Sequence, residues 1–387
     1  MPLQLSVEGR FVVAMLAILS VAIVTITALY VQDIRAENRH EAELDLAADA
    51  RLREVEIEAA LRVYGRDVLT LVNTPPVPAI ARTVASRGVD PESGDSYDEW
   101  RTRLATIFAA FATADSAYLQ LRYLDASGTE IVRVNSEDGT VVRVPEDELQ
   151  DKSGRGYFIA ARALSAGEVH LSPLDLNIEQ GQVQAPRAPV VRFATPVYDD
   201  GMGFAGVVVT NIDPSALLAP LGTQGRVTAY LVDGSGQYLS HPDESRRFGG
   251  LTGTGVGLAS DVGPKVAAAL TSGAGLLTAA GSVFARTPVE FAGFSTANEW
   301  WVVDEIALAD IPSADLTKPI GAVAVLLLVA GVVGYRVAHG VSGQLQESEE
   351  RFRAVFETSH DGVIAYDAEL RYSLWSPAME RMMGVPA

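Results

Sequence analysis

The chain has 387 residues, enough for two or three domains of about 100–200 residues each, so core size is not limiting. Lys and Arg number 30 against 49 Asp and Glu, and the formal charge of −19 argues against a broad electrostatic footprint for nucleic acid. Cysteine is absent, which excludes disulfides, a thiolate nucleophile, cysteine-ligated zinc and iron–sulfur clusters. A hydrophobic content of 48% and a mean hydropathy of +0.17 are high for a wholly soluble chain.

Residues 1–10 form a short tail, read as cytoplasmic, before the run Phe11–Val31, which carries no charge. About 20 residues at 1.5 Å rise cover the roughly 30 Å hydrocarbon core, so 11–31 is expected to span a membrane. A cleaved signal peptide is the competing reading, but its apolar region is usually about 7–15 residues, and no small-x-small site ends this run. A second run, Pro319–Tyr335, lies between Lys318 and Arg336, giving an expected span over 316–337. A buried core helix is the alternative there. Arg10 and Arg336 flank one side and Arg35, Arg39 and Lys318 the other, so positive charge does not set the orientation.

Between the spans, residues 32–72 are rich in Glu, Arg, Ala and Leu, and Ile57, Leu61, Tyr64, Val68 and Leu71 recur at 4-3-4-3 spacing. That predicts a long stalk helix with one apolar stripe, packed on its own domain or on a partner copy. Asn73–Pro78 ends it. A second amphipathic helix carries Tyr97, Trp100, Leu104, Ile107, Phe108 and Phe111 on one side. Strands are predicted at Ala117–Leu124, Glu130–Asn135 and Val141–Val144, around turns at Asp125–Gly128 and Glu137–Gly139. Pro189–Val197 and Phe204–Asn211 form another pair, followed by a short helix at Ser215–Leu221. A smaller second pass begins near Arg226, with a turn at Asp233–Gly236, a strand to His241 and a helix near Val262–Leu270. Strands at Ser282–Ala285, Val289–Phe294 and Trp300–Ile306 close it. Gly249–Gly257 and Gly273–Gly281 lack the Gly-Lys-Ser/Thr ending of a phosphate loop and read as surface loops. The fold class is α+β, with two stacked α/β modules built on antiparallel sheets.

Several blocks then become familiar. Asp147–Phe158 (DELQDKSGRGYF), Gly167–Asn177 (GEVHLSPLDLN), Arg192–Pro196 (RFATP), Gly206–Leu217 (GVVVTNIDPSAL) and Gln237–Asp243 (QYLSHPD) resemble the double Cache sensor domains of bacterial transmembrane receptors. The resemblance implies a periplasmic sensor over 32–315, with a membrane-distal module at 73–222 and a membrane-proximal one at 223–306. After the second span, 338–350 reads as a cytoplasmic signalling helix, with Val341, Leu345, Phe352 and Val355 on a heptad track. Residues 351–387 resemble the start of a PAS domain, with Ser376 where the family commonly has Asn. A fold of about 100 residues stops there after roughly 40, so the expectation is the front part of a longer signalling protein.

The five histidines show no two-histidine metal spacing, and no G-x-S-x-G elbow, Walker loop, phosphoacceptor box or GGDEF stretch occurs. Neither an enzyme activity of this chain, nor a cofactor, nor a metal site is expected. By resemblance, Arg155, Tyr157 and Phe158 line the distal pocket; a guanidinium fork would hold a carboxylate while aromatic walls exclude water. The competing reading pairs Arg155 with Asp151 and puts the aromatics in the core. Asn211 stands where amino-acid-binding members place an Asp, with Asp213 two residues on, which favours a carboxylate or polar metabolite over an α-amino acid. Asp175 and Asn177 reach the pocket from a loop or else cap turns, while His241 is expected to stabilise a turn. The expected function is a homodimeric receptor of the bacterial inner membrane, multi-pass, with the sensor in the periplasm. It would bind a small molecule, sit in the lipid bilayer and relay to the PAS domain and a downstream partner. The alternatives are a histidine kinase or diguanylate cyclase whose catalysis lies beyond Ala387, and a ligand-free dimerisation spacer.

Overall fold

A computed structural model describes residues 7–137, 139–184, 189–201, 203–273, 275–312 and 317–384. Asp138 of the second predicted turn and Leu316 of the second predicted span lie outside the described residues. So do the side chains of 337–346, which include Val341 and Leu345. Residues 39–312 make one compact unit, and the described residues before and after them make another.

The first helix, α1 (Val7–Val72), is continuous over 66 residues. It contains a stretch long and apolar enough to cross a membrane, with mean hydropathy 2.4, and Pro319–Arg336 is a second at 1.9. The helix ends before Asn73, yet the prolines that stop it also start another. Pro76 opens α2 (Pro76–Ala85), because a residue in the first turn needs no N–H partner. Sequence reasoning missed that helix. Ser96 and Glu99 form a reciprocal capping box at the start of α3 (Tyr97–Ala114).

Beyond α3, the strands are β1 (Tyr118–Asp125), β2 (Glu130–Glu137) and β3 (Thr140–Arg143). They are followed by α4 (Gly156–Arg162), β4 (Val169–Leu171), β5 (Asp175–Leu176), β6 (Ile178–Glu179) and β7 (Gln182–Val183). The long pair β8 (Pro189–Tyr198) and β9 (Phe204–Ile212) and the short α5 (Ser215–Leu218) complete the first module. Then come β10 (Gly222–Gln224), β11 (Val227–Asp233), β12 (Tyr238–Ser240), α6 (Gly249–Thr252), α7 (Leu258–Val262) and α8 (Pro264–Leu270). The second sheet is finished by β13 (Gly275–Ala279), β14 (Ser282–Pro288) and β16 (Trp300–Ala307); the short β15 (Phe294–Ser295) belongs elsewhere.

The first sheet runs β15-β4-β8-β9-β1-β2-β3, with β5 also on β8; the second runs β10-β11-β16-β14-β13, with β12 on β11. Every pairing in them is antiparallel except β15 on β4. Two expectations need correction. Of the predicted strand Val289–Phe294 only Phe294 is in a strand, and it joins the first sheet rather than the second. The presumed loop Gly273–Gly281 contains β13, paired along its length with β14, and Gly249–Gly257 opens with the one-turn α6.

The predicted stripe Ile57, Leu61, Tyr64, Val68 and Leu71 is buried inside its own unit, in one apolar cluster. Leu121, Val208 and Phe193 of the first sheet and Leu231, Val302 and Ile306 of the second belong to that cluster too. Charge follows the same seam. Arg53 of α1 pairs with the fully buried Asp304 of β16, and its other nitrogens reach the Pro220 carbonyl at 3.2 Å and Gln224 Oε1 at 3.3 Å. Burial pushes the Asp304 carboxyl up to about 7, Asp49 adds to this, and Arg53 opposes it.

In the other unit, α9 (Thr317–Thr358) is followed by the hairpin β17 (Ile364–Tyr366) and β18 (Tyr372–Trp375), then α10 (Pro377–Met383). Ser376 is fully buried, and its hydroxyl accepts the Val363 amide at 3.0 Å, so it ties the hairpin to the start of α10.

Leu61→Ala is expected to cost about 2–5 kcal/mol, whereas Leu52→Ala, on the exposed side of α1, should stay within about 0.5 kcal/mol. Denaturant unfolding of the full chain in detergent checks both.

Candidate functional site

The face of the first sheet turned away from α1 divides in two. Register places Gln120 opposite Asn211 and Asn135, Asn211 opposite Arg192, and Arg122 opposite Arg133, so these side chains share that face. Further along the same strands, Leu124, Val207, Val209 and Ala194 form an apolar patch, covered by Tyr157, Phe158 and Ala161 of α4. The polar half is covered by the segment 149–152 and by the β6–β7 hairpin.

A turn places the first cover. Asp125 Oδ1 accepts the amides of Ser127 and Thr129, and Gly128 closes the turn at φ +93°. A Cβ on Gly128 would lie 2.5 Å from the Ser153 Cα, so only glycine lets the following segment lie this close. That segment is held by the Glu130 amide on the Gln150 carbonyl at 3.0 Å and the Lys152 amide on the Gly128 carbonyl at 2.8 Å. Lys152 is thereby carried over the sheet, 5% exposed.

The resulting cluster holds four cations, Arg122, Arg133, Lys152 and Arg192, against three carboxylates, Glu130, Asp175 and Glu179. Arg122 and Arg192 are each 2% exposed. Arg192 donates to Asp175 Oδ1 at 2.7 Å and Asn177 Oδ1 at 3.4 Å, and lies 5.4 Å from the Tyr157 ring centroid. Arg122 donates to the Tyr157 hydroxyl at 3.0 Å and to Gln120 Oε1, which also accepts from Asn211 Nδ2 at 2.8 Å. Glu179 Oε2 sits 3.0 Å from Arg133 and 3.5 Å from Lys152. Burial alone would raise the Glu179 pKa, but Arg122, Arg133 and Lys152 hold it down to about 2. Burial pushes the Lys152 ammonium below its ordinary value, with Arg122 adding to the effect, and likewise lowers Arg192 against the opposing pull of Asp175. Arg122 Nε and Glu130 Oε1 face each other at 3.6 Å as an ion pair, whereas Arg192 Nε and Asn211 Oδ1 are buried without a hydrogen-bond partner among the described residues. Each such group costs about 1–3 kcal/mol. They are therefore spare capacity for a polar molecule.

Of the residues singled out from sequence, Tyr157, Asp175, Asn177 and Asn211 come together here. Phe158 does not: it packs edge-on to Phe204 at 6.2 Å in the apolar half. Asp213 caps a turn, accepting the Ser215 amide at 2.8 Å, and its charge bears on Tyr64 in the α1-facing core. Arg155 stands half-exposed at the start of α4, and its guanidinium makes no polar contact among the described residues. It does not pair with Asp151, which instead accepts the Ser153 amide at 2.8 Å. His241 holds a turn, its Nδ1 accepting the Asp243 amide at 2.9 Å. Sequence reasoning missed Gln120, Arg122, Glu130, Arg133 and Glu179, and named Lys152 and Arg192 only within blocks. The available signal was in β1, where YLQLRYLD sets Gln and Arg alternately among apolar residues that are themselves buried.

Residues 94–256 match the family model described as bacterial histidine kinase, sensor domain, and 350–387 match a PAS domain. Among solved structures, the extracellular domain assigned to the histidine kinase vpHK1S-Z8 is similar with a TM-score of 0.59 and 20% identity, covering 74% of this chain and 99% of that one. A domain of a sensory box/GGDEF family protein from Vibrio parahaemolyticus follows at 0.56 and 21%, covering 71% and 99%. The ligand-binding domain of the Pseudomonas aeruginosa PAO1 chemoreceptor PctC, in complex with GABA, reaches 0.45 and 18%, covering 68% and 99%. A comparison with curated proteins returns no match. The Cache-type sensor fold and the PAS segment expected from the sequence are thus both present.

Because the Glu179 pKa lies well below the ordinary glutamate value of about 4.3, its ion pairs contribute stability that is complete above that pH and is lost as pH falls toward 2. The gap in denaturation midpoint between the native chain and Glu179→Gln should therefore be widest at pH 5–7 and narrow markedly by pH 3. A gap independent of pH would count against the ion pairs.

Proposed function

We propose that the chain is the sensing part of a receptor of the bacterial inner membrane, crossing it twice, with residues 39–312 outside the cytoplasm. A small polar molecule binds on the outer face of the first sheet, between Arg122, Arg192, Tyr157, Asn177 and Asn211, and biases the packing that α1 shares with both sheets. The observation that carries this reading is the buried, charge-rich half-face with unused hydrogen-bonding atoms, in a sensor-domain fold. A ligand shifts such an equilibrium only by its differential affinity for the two arrangements. The PAS segment is the receiving end, its output passing to a downstream signalling domain or protein. No chemistry of bond making is assigned to this chain.

Dimerisation fits a different face of α1 from the Ile57–Leu71 stripe, which the sequence left open between its own domain and a partner copy. Ile57, Leu61 and Tyr64 are consumed by their own unit, whereas Leu44, Leu52, Val55 and Val63 are 40–58% exposed. Their spacing of 8, 3 and 8 places them on one side of the helix, and Leu44–Val55 and Leu52–Val63 repeat at 11 residues. An 11-residue period, about 3.67 residues per turn, suits two helices in a right-handed supercoil. This stripe is the surface offered to a second copy.

A thermal-shift screen of the full chain in lipid nanodiscs against organic acids, amino acids, amines and sugars tests the sensor reading. A ligand at 100 times its Kd adds about 2.7 kcal/mol. The shift should disappear in Asn211→Leu and persist in Arg155→Ala; the reverse pattern would move the site to the start of α4. In the same nanodiscs, Leu52→Asp with Val55→Asp should abolish crosslinking between copies, while leaving the helix and strand content by circular dichroism unchanged.

A further inference from the structure

Glu179 is bound like a ligand. Its Oε1 accepts from Gln120 Nε2 at 3.2 Å and Asn177 Nδ2 at 3.4 Å, with Arg122 at 3.6 Å. Its Oε2 accepts from Gln150 Nε2 at 3.1 Å and lies 3.0 Å from Arg133 and 3.5 Å from Lys152. Apart from Asn177, all of these donors belong to β1, β2 and the segment 150–152, which are fixed without the hairpin.

The carboxylate itself is on a weak support. β6 and β7 pair only with each other, through Ile178–Val183 and Glu179–Gln182, and a two-stranded ribbon is marginal on its own. Its turn holds Gln180 at φ +48°, a left-handed position unfavourable to a residue with a Cβ. Apart from Glu179 itself, the ribbon is tied by the Gln180 amide on Gln150 Oε1 at 3.2 Å, and its root by Asn177 Oδ1, which accepts from Arg192 and Asn211 at 3.4 Å each. Without Glu179, the cradle of Arg122, Arg133 and Lys152 would face only Glu130. Three buried cations beside one carboxylate require another anion.

We propose that the β6–β7 hairpin is a latch in which Glu179 serves as a tethered stand-in for the ligand, and that the ligand is an organic carboxylate which takes the cradle by displacing it. The proposal rests on the sensor reading above and names its ligand class. Arg192 Nε and Asn211 Oδ1 remain without a partner beside the cradle, so the preferred carboxylate carries a second polar group. An internal competitor lowers apparent affinity by the fraction of time the cradle is free. Glu179 stays ionised throughout the neutral range, so the latch answers to ligand rather than to physiological pH.

The test uses the full chain in nanodiscs, with acetate, lactate and succinate as probes. In Glu179→Gln, amide hydrogen exchange of 178–183 should rise at least tenfold while β1 and β9 are unchanged, and the Kd of at least one probe should fall at least tenfold. In the native chain, saturating amounts of that probe should itself speed exchange of 178–183. If Glu179→Gln fails to fold, the double variant Lys152→Gln/Glu179→Gln removes one charge of each sign; it should show the fast-exchanging hairpin and no carboxylate binding. Unchanged hairpin exchange, or carboxylate affinity unaltered or weakened in Glu179→Gln, overturns the latch. Binding of a neutral or cationic compound that is indifferent to Glu179→Gln overturns it while leaving the sensor reading intact. If neither form binds any compound in the wider screen, the sensor reading fails as well.

Discussion

Two sheets in this protein each need one apolar face covered, and a single helix covers both. The stripe of α1 from Leu46 to Leu71 lies in one cluster with side chains of the first and the second sheet, so neither core closes without it. Everything else in the unit is arranged around that shared wall. The opposite face of the first sheet takes α4, and that of the second takes α7 and α8, through separate small clusters. Even the buried charge follows the seam, with Arg53 reaching from α1 to Asp304 between the apolar Val302 and Ile306. A carboxyl raised by burial to about 7 is less readily ionised than an exposed one, so the stability that the buried Asp304 contributes falls as pH rises toward neutrality, although Arg53 favours its charged form.

The outer half-face of the first sheet follows a different logic. Well-packed apolar residues would stabilise such a sheet as well as buried ion pairs do, because desolvating charges offsets most of their attraction. Four cations, three carboxylates and two unpartnered polar atoms at one place are therefore poorly explained by stability. They are well suited to recognising a charged molecule, where an unpaired buried group gives strong discrimination against compounds that leave it unpaired.

The fold was legible in sequence wherever local chemistry decided it. The stripe in α1 has a helical period, the Asp-x-Ser-Gly turns separate alternating strands, and β1, β2, β8 and β9 begin and end within one or two residues of where the pattern puts them. It was illegible where pairing decided it. β13 is Gly-rich and becomes a strand because β14 offers it an edge, and Pro76 both ends one helix and begins the next. The site divided in the same manner. Asn211, Tyr157, Asp175 and Asn177 lie in recognisable blocks, but the cations of the cluster are scattered from Arg122 to Arg192, and strand register brings the three arginines together while the 149–152 segment carries Lys152 over them. Arg155 was attractive because it sits beside two aromatics in sequence, yet α4 turns Phe158 into the apolar half and leaves the guanidinium outside.

The parallel bridge between β15 and β4 ties the two modules topologically. Phe294 comes from the chain between β14 and β16 of the second sheet, yet it pairs with Val169 at the rim of the first, and its ring lies against Gly65 of α1. Nearby, Asn298 Nδ2 donates to the Ser172 carbonyl at 2.9 Å. A gene cut after Leu221 would therefore not yield a self-sufficient first module: it would strip β4 of its outer neighbour and leave bare main-chain donors and acceptors along that rim. Exchanging one module for another would meet the same obstacle unless the replacement also supplied that rim.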